Sequence, residues 1–131
     1  MEMNYDNTLL EVLGMNVVEV SKEKVVVTMP VNEKTRQPYG LLHGGASVAL
    51  AETVASIGAN YAVAESNEVC VGLEINANHI KAKKDGIVTG VGTLLHRGKT
   101  TQVWNIRIED EQQQLICISR CTMAVLKKDD S

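Results

Sequence analysis

The chain has 131 residues, a formal net charge of −3 and a pI near 5.6, which suit one domain with a sizeable core and leave no basic footprint for nucleic acid or an anionic membrane. No apolar run approaches the roughly 20 residues that span a bilayer, and the opening MEMNYDNTLLEVL lacks the basic stretch of a signal peptide, so the expectation is a soluble cytoplasmic protein. Cys70, Cys117 and Cys121 lack C-x-x-C spacing and read as core residues of a reducing compartment rather than as zinc ligands.

In chain order, Asn7-Thr8 is placed to cap a short helix through Leu9, Leu10, Val12 and Leu13, which Gly14 ends. Two β-rich stretches follow, 16–20 and 24–30, and the polar break at 21–24 suits a hairpin. Residues 31–42, with Pro38 and Gly40, read as loop. From about His43 to Ala64 the chain is rich in Ala, Leu and Glu with no internal proline, and it reads as one long helix. Strand-like stretches then cover 68–82, 87–96, 100–110 and 114–126, with breaks at Lys84-Asp85-Gly86, Arg97-Gly98-Lys99 and 110–113. Lys127-Lys128, answered at once by Asp129-Asp130, reads as a solvated tail.

These elements give a single α+β domain over 1–131, with one nearly all-apolar helix among some six antiparallel strands. A helix that is apolar all round has to be covered on all sides, so the sheet is expected to curl around it. In 68–82 the odd positions Val69, Val71, Leu73, Ile75 and Ala77 form an apolar row that continues into His79, while Gly72, Glu74, Asn76 and Asn78 face the other way. Trp104, Ile106 and Ile108 form a second row expected in the core.

The candidate chemistry gathers at the start of the long helix. His43-Gly44-Gly45 stands where the first N–H groups have no internal acceptor and the helix dipole leaves partial positive charge. Glycine lets a ligand atom come close to those donors, which suits the oxyanion of a reacting ester or thioester carbonyl; the same residues also suit a plain tight turn. Glu52 is the one carboxylate inside the helix. It follows Gly44 by eight residues, roughly 12 Å of helical rise, so its side chain cannot reach a carbon held at the start of its own helix. Either the two groups serve one carbonyl from different chains, or their roles are unrelated. Ser56, at i+4, shares the face of Glu52 and is placed to hydrogen-bond it or a water; a buried structural ion pair is the alternative for Glu52. Taken alone, His79 reads as a core or rim histidine. His43, His79 and His96 lack the spacing of a metal-ligand set, and there is no nucleophile elbow, P-loop or dinucleotide fingerprint.

QPYGLLHGGASVALAETVAS (37–56), VGLEINANHIK (71–81) and LHRGKTTQVW (95–104) together closely resemble the hotdog-fold thioesterases of the phenylacetate-pathway type. The resemblance is nearest to the branch that hydrolyses 1,4-dihydroxy-2-naphthoyl-CoA and related aryl-CoA esters, and it extends to TMAVL at 122–126. It implies a curved antiparallel sheet wrapped around one helix, and dimers that pair sheets edge to edge, share active sites and usually form homotetramers. By resemblance, Glu52 is the catalytic carboxylate, as base or nucleophile, and Gly44 the oxyanion donor. Gln37 and His43 bind the thioester region, Ser56 positions water, and His79 lies beside the site. The pantetheine arm of coenzyme A would run along Val71-Gly72, with Lys81, His96, Arg97, Lys99 and Thr100 as candidates for its phosphates. No cofactor is implied beyond the coenzyme A of the substrate itself, and the acyl group would meet a mainly aliphatic pocket near Tyr39 or Tyr61. A hotdog dehydratase or hydratase of 3-hydroxyacyl thioesters, and a non-catalytic acyl-CoA-binding module, are the competing readings.

Overall fold

The computed structural model describes residues 4–128. Helix α1 (Leu9–Leu13) ends at Gly14, whose φ of 74° is the left-handed conformation that glycine adopts freely. Its start differs from the expected Asn7-Thr8 cap. Thr8 occupies the cap position, but its hydroxyl donates back to the Tyr5 carbonyl. The side-chain acceptor is instead Glu11, whose Oε1 takes the Asn7 N–H at 2.9 Å.

Strands β1 (Asn16–Val20) and β2 (Val25–Pro30) form the expected hairpin. After the loop comes α2 (Gly44–Ala62), then β3 (Glu68–His79), β4 (Ile87–Arg97), β5 (Thr101–Glu109) and β6 (Leu115–Lys127). The strands make one sheet in the order β1-β2-β4-β5-β6-β3, antiparallel throughout. Helix α2 leaves β2 near one edge, crosses the sheet and delivers the chain to β3 at the far edge. This is the α+β hotdog arrangement that the resemblance implied.

The core lies between α2 and the sheet. Leu50, Ala51, Val54, Ala55 and Ala59 face Val27 and Met29 of β2, Val88 of β4, Trp104, Ile106 and Ile108 of β5, and Cys121 and Met123 of β6. Leu50 and Val54 are fully buried, and each such side chain stabilises the fold by roughly 1.5–3 kcal/mol relative to exposure. Cys70, Cys117 and Cys121 are free and buried, as core residues should be.

Two sequence expectations need correction. The sheet covers one side of α2 only: Val48, Glu52, Thr53, Ser56, Ile57 and Tyr61 remain partly exposed along the other. In β3, a bulge between Gly72 and Glu74 inserts Leu73 and reverses the alternation. Cys70 and Gly72 therefore face the helix before the bulge, and Ile75, Ala77 and His79 after it. Val69, Val71 and Leu73 point outward, exposed by 36 %, 46 % and 63 %. No described helix is long and apolar enough to cross a membrane. The acidic half of the tail, Asp129-Asp130, and the first three residues of the opening stretch lie outside the described residues.

Candidate active site

The loop before α2 is held in shape by Thr35, which is 1 % exposed. Its hydroxyl donates to the Pro30 carbonyl at 2.9 Å and accepts the Asn32 N–H at 3.0 Å, while its own carbonyl accepts the His43 N–H at 2.8 Å. The Leu42 N–H donates to Lys83 and the Arg36 guanidinium to Lys84, tying the loop to the segment after β3.

His43 is the N-cap of α2. Its Nδ1 accepts the Gly45 N–H at 2.7 Å, and its carbonyl accepts from Ala46 and Ser47. That leaves the Gly44 N–H as the donor at the helix start with no partner among the described residues. The His79 ring packs against Gly44 on its Cβ side: a Cβ there would lie 3.0 Å from His79 Nε2. A side chain at position 44 would therefore need the His79 ring to give by a few tenths of an ångström. Beside it a cleft of about 320 Å³ is lined by Gln37, Gly44, Ser47, His79 and Lys81. Gln37 braces its own loop, its Oε1 accepting the Tyr39 N–H at 2.5 Å. His43 does not line the cleft; its ring nitrogen is engaged in capping. Tyr39 projects from the loop, 91 % exposed.

Glu52 lies two turns further along, partly exposed, and makes no ion pair or hydrogen bond among the described residues of its own chain. Its carboxylate rests on Gly72 of β3, where any Cβ would overlap Oε2. The β3 bulge makes this contact by turning Gly72 inward. Cys121 feels the same carboxylate: burial first, then the charges of Glu52 and Glu74, push its thiol up to about 11. Ser56 does not bond to Glu52. It lines a second cleft, of about 630 Å³, with Ile57, Asn60, Tyr61 and Val69.

The coenzyme A candidates fall into separate groups within one chain. Val71 faces outward on the edge strand and Gly72 inward beneath Glu52. Lys81 is at the end of the sheet where β5 turns into β6, bonded to Gln114 and 3.8 Å from Asp110. His96 and Arg97 end β4 and Lys99 and Thr100 lie in the turn that follows, which the strand register places at the opposite end. A single chain does not bring these cations together.

Sequence reading missed Thr35, Ser47 and Asn60. Ser47 has a positional signal, three residues beyond Gly44 on the first turn of the helix. Thr35 works through loop backbone only three to five residues away, and Asn60 through Cys70, ten residues on and in another element; neither residue type stands out in its stretch of sequence.

The thioesterase superfamily model matches residues 39–117. A Bacillus subtilis protein named as an esterase is 56 % identical over 126 residues, which is 96 % of this chain and 100 % of that one. The 1,4-dihydroxy-2-naphthoyl-CoA hydrolase of Listeria monocytogenes is 54 % identical over 120 residues, 92 % of this chain and 97 % of its own. A thioesterase of Staphylococcus aureus, solved in a glutamine-to-alanine form, superposes with a TM-score of 0.87 at 44 % identity, covering 90 % of this chain and 98 % of its own. The same protein was also solved with a glutamate replaced by alanine, and the two replaced positions are as far apart in sequence as Gln37 and Glu52.

Proposed function

The chain belongs to the thioesterase superfamily and is a thioester hydrolase of the hotdog fold, and from that premise we propose that it cleaves an aryl-CoA such as 1,4-dihydroxy-2-naphthoyl-CoA to the free acid and coenzyme A. The observation that carries the reading is the pair of half-sites on α2: an N–H at Gly44 and, two turns away, a carboxylate at Glu52, neither with a partner among the described residues.

In this reading the two half-sites meet across a homodimer, with Gly44 of one protomer facing Glu52 of its partner. The exposed edge strand β3, with Val69, Val71 and Leu73 outward, supports pairing at that edge. Two such dimers would form the homotetramer, and the free buried cysteines agree with a cytoplasmic setting. Glu52 takes a proton from water as the oxygen attacks the thioester carbon, or attacks that carbon itself. The carbonyl oxygen becomes an oxyanion at the Gly44 N–H, in the positive field of the helix start. The C–S bond then breaks and the coenzyme A thiolate leaves, taking up the proton that Glu52 removed from water. Where Glu52 itself attacked, the thiolate is protonated by solvent, and water then hydrolyses the mixed anhydride to free acid and carboxylate. Gln37 and His79 orient the thioester from the cleft, His43 holds the helix start open by capping Gly45, and Ser56 holds water beyond Glu52. Val71-Gly72 carries the pantetheine arm. Lys81 of one protomer and His96, Arg97, Lys99 and Thr100 of another are the phosphate candidates, since one chain separates them.

The test is hydrolysis of a panel of aryl-CoA and acyl-CoA thioesters by the native protein and by Glu52→Gln, read as release of free thiol. Loss of about three orders of magnitude in kcat is expected for the variant. Near-native turnover by Glu52→Gln refutes the assignment.

A further inference from the structure

We propose that Asn60 is a positioning residue for this reaction: by clamping the open edge of β3 to the helix that carries Glu52, it holds Gly72 under that carboxylate. The inference rests on the reading of Glu52 given above.

Asn60 makes three hydrogen bonds with its side-chain amide. Its Oδ1 accepts the Cys70 N–H at 2.9 Å, and its Nδ2 donates to the Cys70 carbonyl at 3.1 Å and to the Ser56 carbonyl at 2.9 Å. The first two engage both backbone groups of one strand residue, as a neighbouring strand would. Cys70 is opposite Val125, whose N–H goes to Thr100 on the other side of β6. That pair is therefore of the non-hydrogen-bonded kind, and the Cys70 groups point to the free edge of the sheet. Asn60 occupies them there.

The location makes the clamp more than a local staple. Strand β3 has a laddered neighbour on one side only, β6, and the bulge at Leu73 breaks that ladder just past Gly72. The ladder alone is thus weakest where Glu52 needs a fixed surface. Asn60 is on the same helix as Glu52, and Cys70 is two residues before Gly72 on the same face of β3. One side chain therefore sets the helix-to-strand spacing at the point of contact. It also closes the sheet edge at Cys70, where a strand from a second copy would otherwise pair.

The experiment is a double-mutant cycle on thiol release from benzoyl-CoA, with Asn60→Ala made in the native protein and in Glu52→Asp, and melting temperatures measured alongside. With the native carboxylate, Asn60→Ala should lower kcat by about 30-fold with KM changed less than about threefold, as for a catalytic group moved by a fraction of an ångström. In Glu52→Asp, whose carboxylate is already displaced, the same change should cost less than about threefold. Equal losses in both backgrounds, or native kcat for Asn60→Ala, overturn the inference. Native turnover by Glu52→Gln would instead overturn the reading of Glu52 beneath it. If Asn60→Ala does not fold, Asn60→Asp answers the question: a carboxylate keeps the acceptor for the Cys70 N–H but repels the two carbonyls until it is protonated. Its kcat relative to the native protein should rise as pH falls through the carboxyl range, and a flat ratio overturns the inference.

Discussion

The imidazole of His79, at the end of β3, packs so closely on Gly44, at the start of α2, that a Cβ there would lie 3.0 Å from its Nε2. The contact links the last inward residue of the edge strand to the first residue of the helix, and both line the cleft to which Gln37 and Ser47 also belong. Gly44→Ala should therefore push the His79 ring aside, lowering kcat by about 10- to 100-fold with little change in melting temperature. His79→Ala alone removes the ring and should cost its own share. In the double variant the steric part of the Gly44→Ala penalty disappears, so the two losses should multiply to more than the measured total. Strictly multiplicative losses in kcat would show that the two residues act independently.

Gly72 stands to Glu52 as Gly44 stands to His79. A methyl group on Gly72 overlaps the carboxylate of Glu52, so Gly72→Ala should displace it without removing it. The expected result is a fall in kcat/KM of about 100-fold, approaching the Glu52→Gln value, in a protein whose circular dichroism is native. Retention of more than half the native kcat/KM would show that the carboxylate does not need its place on β3.

These two contacts also mark where the sequence stopped being informative. The long helix, the six strands, the glycine turn and the misplaced carboxylate were all legible, because each is written in local periodicity or in a residue type at odds with its surroundings. The separation of Gly44 from Glu52 followed from helix geometry alone. The bulge at Leu73 was not legible: it arises from the pairing of β3 with β6, so strict alternation put Val69, Val71 and Leu73 inside and Gly72 outside, the reverse of the structure. The use of His43 as a cap and Asn60 as an edge clamp was equally hidden. Both depend on which backbone groups are left without partners once the chain has folded.

The buried thiols give a pH dependence. Cys121 is fully buried, and its pKa rises from an ordinary 9.0 to about 11 in the fold. A raised acid pKa means the folded chain holds the proton that the unfolded chain releases. Its contribution is therefore fully present below pH 9 and is lost as pH rises toward 11, on the order of 2 kcal/mol at the upper end. Urea midpoints should fall between pH 8.5 and 10.5, and the slope should be shallower in Cys121→Ala. Cys70 and Cys117 are also shifted upward by burial, so a thiol reagent at pH 8 should label the native protein far more slowly than the unfolded chain. Rapid labelling under native conditions would contradict the burial of all three.

The Lys83–Glu111 ion pair lies just after Ile80, Lys81 and Ala82, which form one wall of the cleft. Glu111, in the β5–β6 turn, accepts from Lys83 at 2.5 Å and from the Ile87 N–H at 2.8 Å, and these bonds hold its carboxyl down to about 2 from an ordinary 4.5. Lys83 in turn supplies the carbonyl that accepts the Leu42 N–H, so the tether reaches the loop that carries Gln37. With a depressed folded pKa, the tether's contribution is fully present above pH 4.5 and is lost as pH falls through about 2. Hydrogen exchange at the Ile87 amide, corrected for intrinsic rate, should accordingly stay constant from pH 7 to 5. Glu111→Gln removes the charge and weakens both bonds, so Ile87 exchange should quicken several-fold at pH 7 while the core amides of β5 do not change. The same variant should raise KM by about two- to fivefold with kcat nearly native, because the wall loosens but neither Gly44 nor Glu52 moves. A change confined to kcat would place Glu111 in the chemistry rather than in the wall.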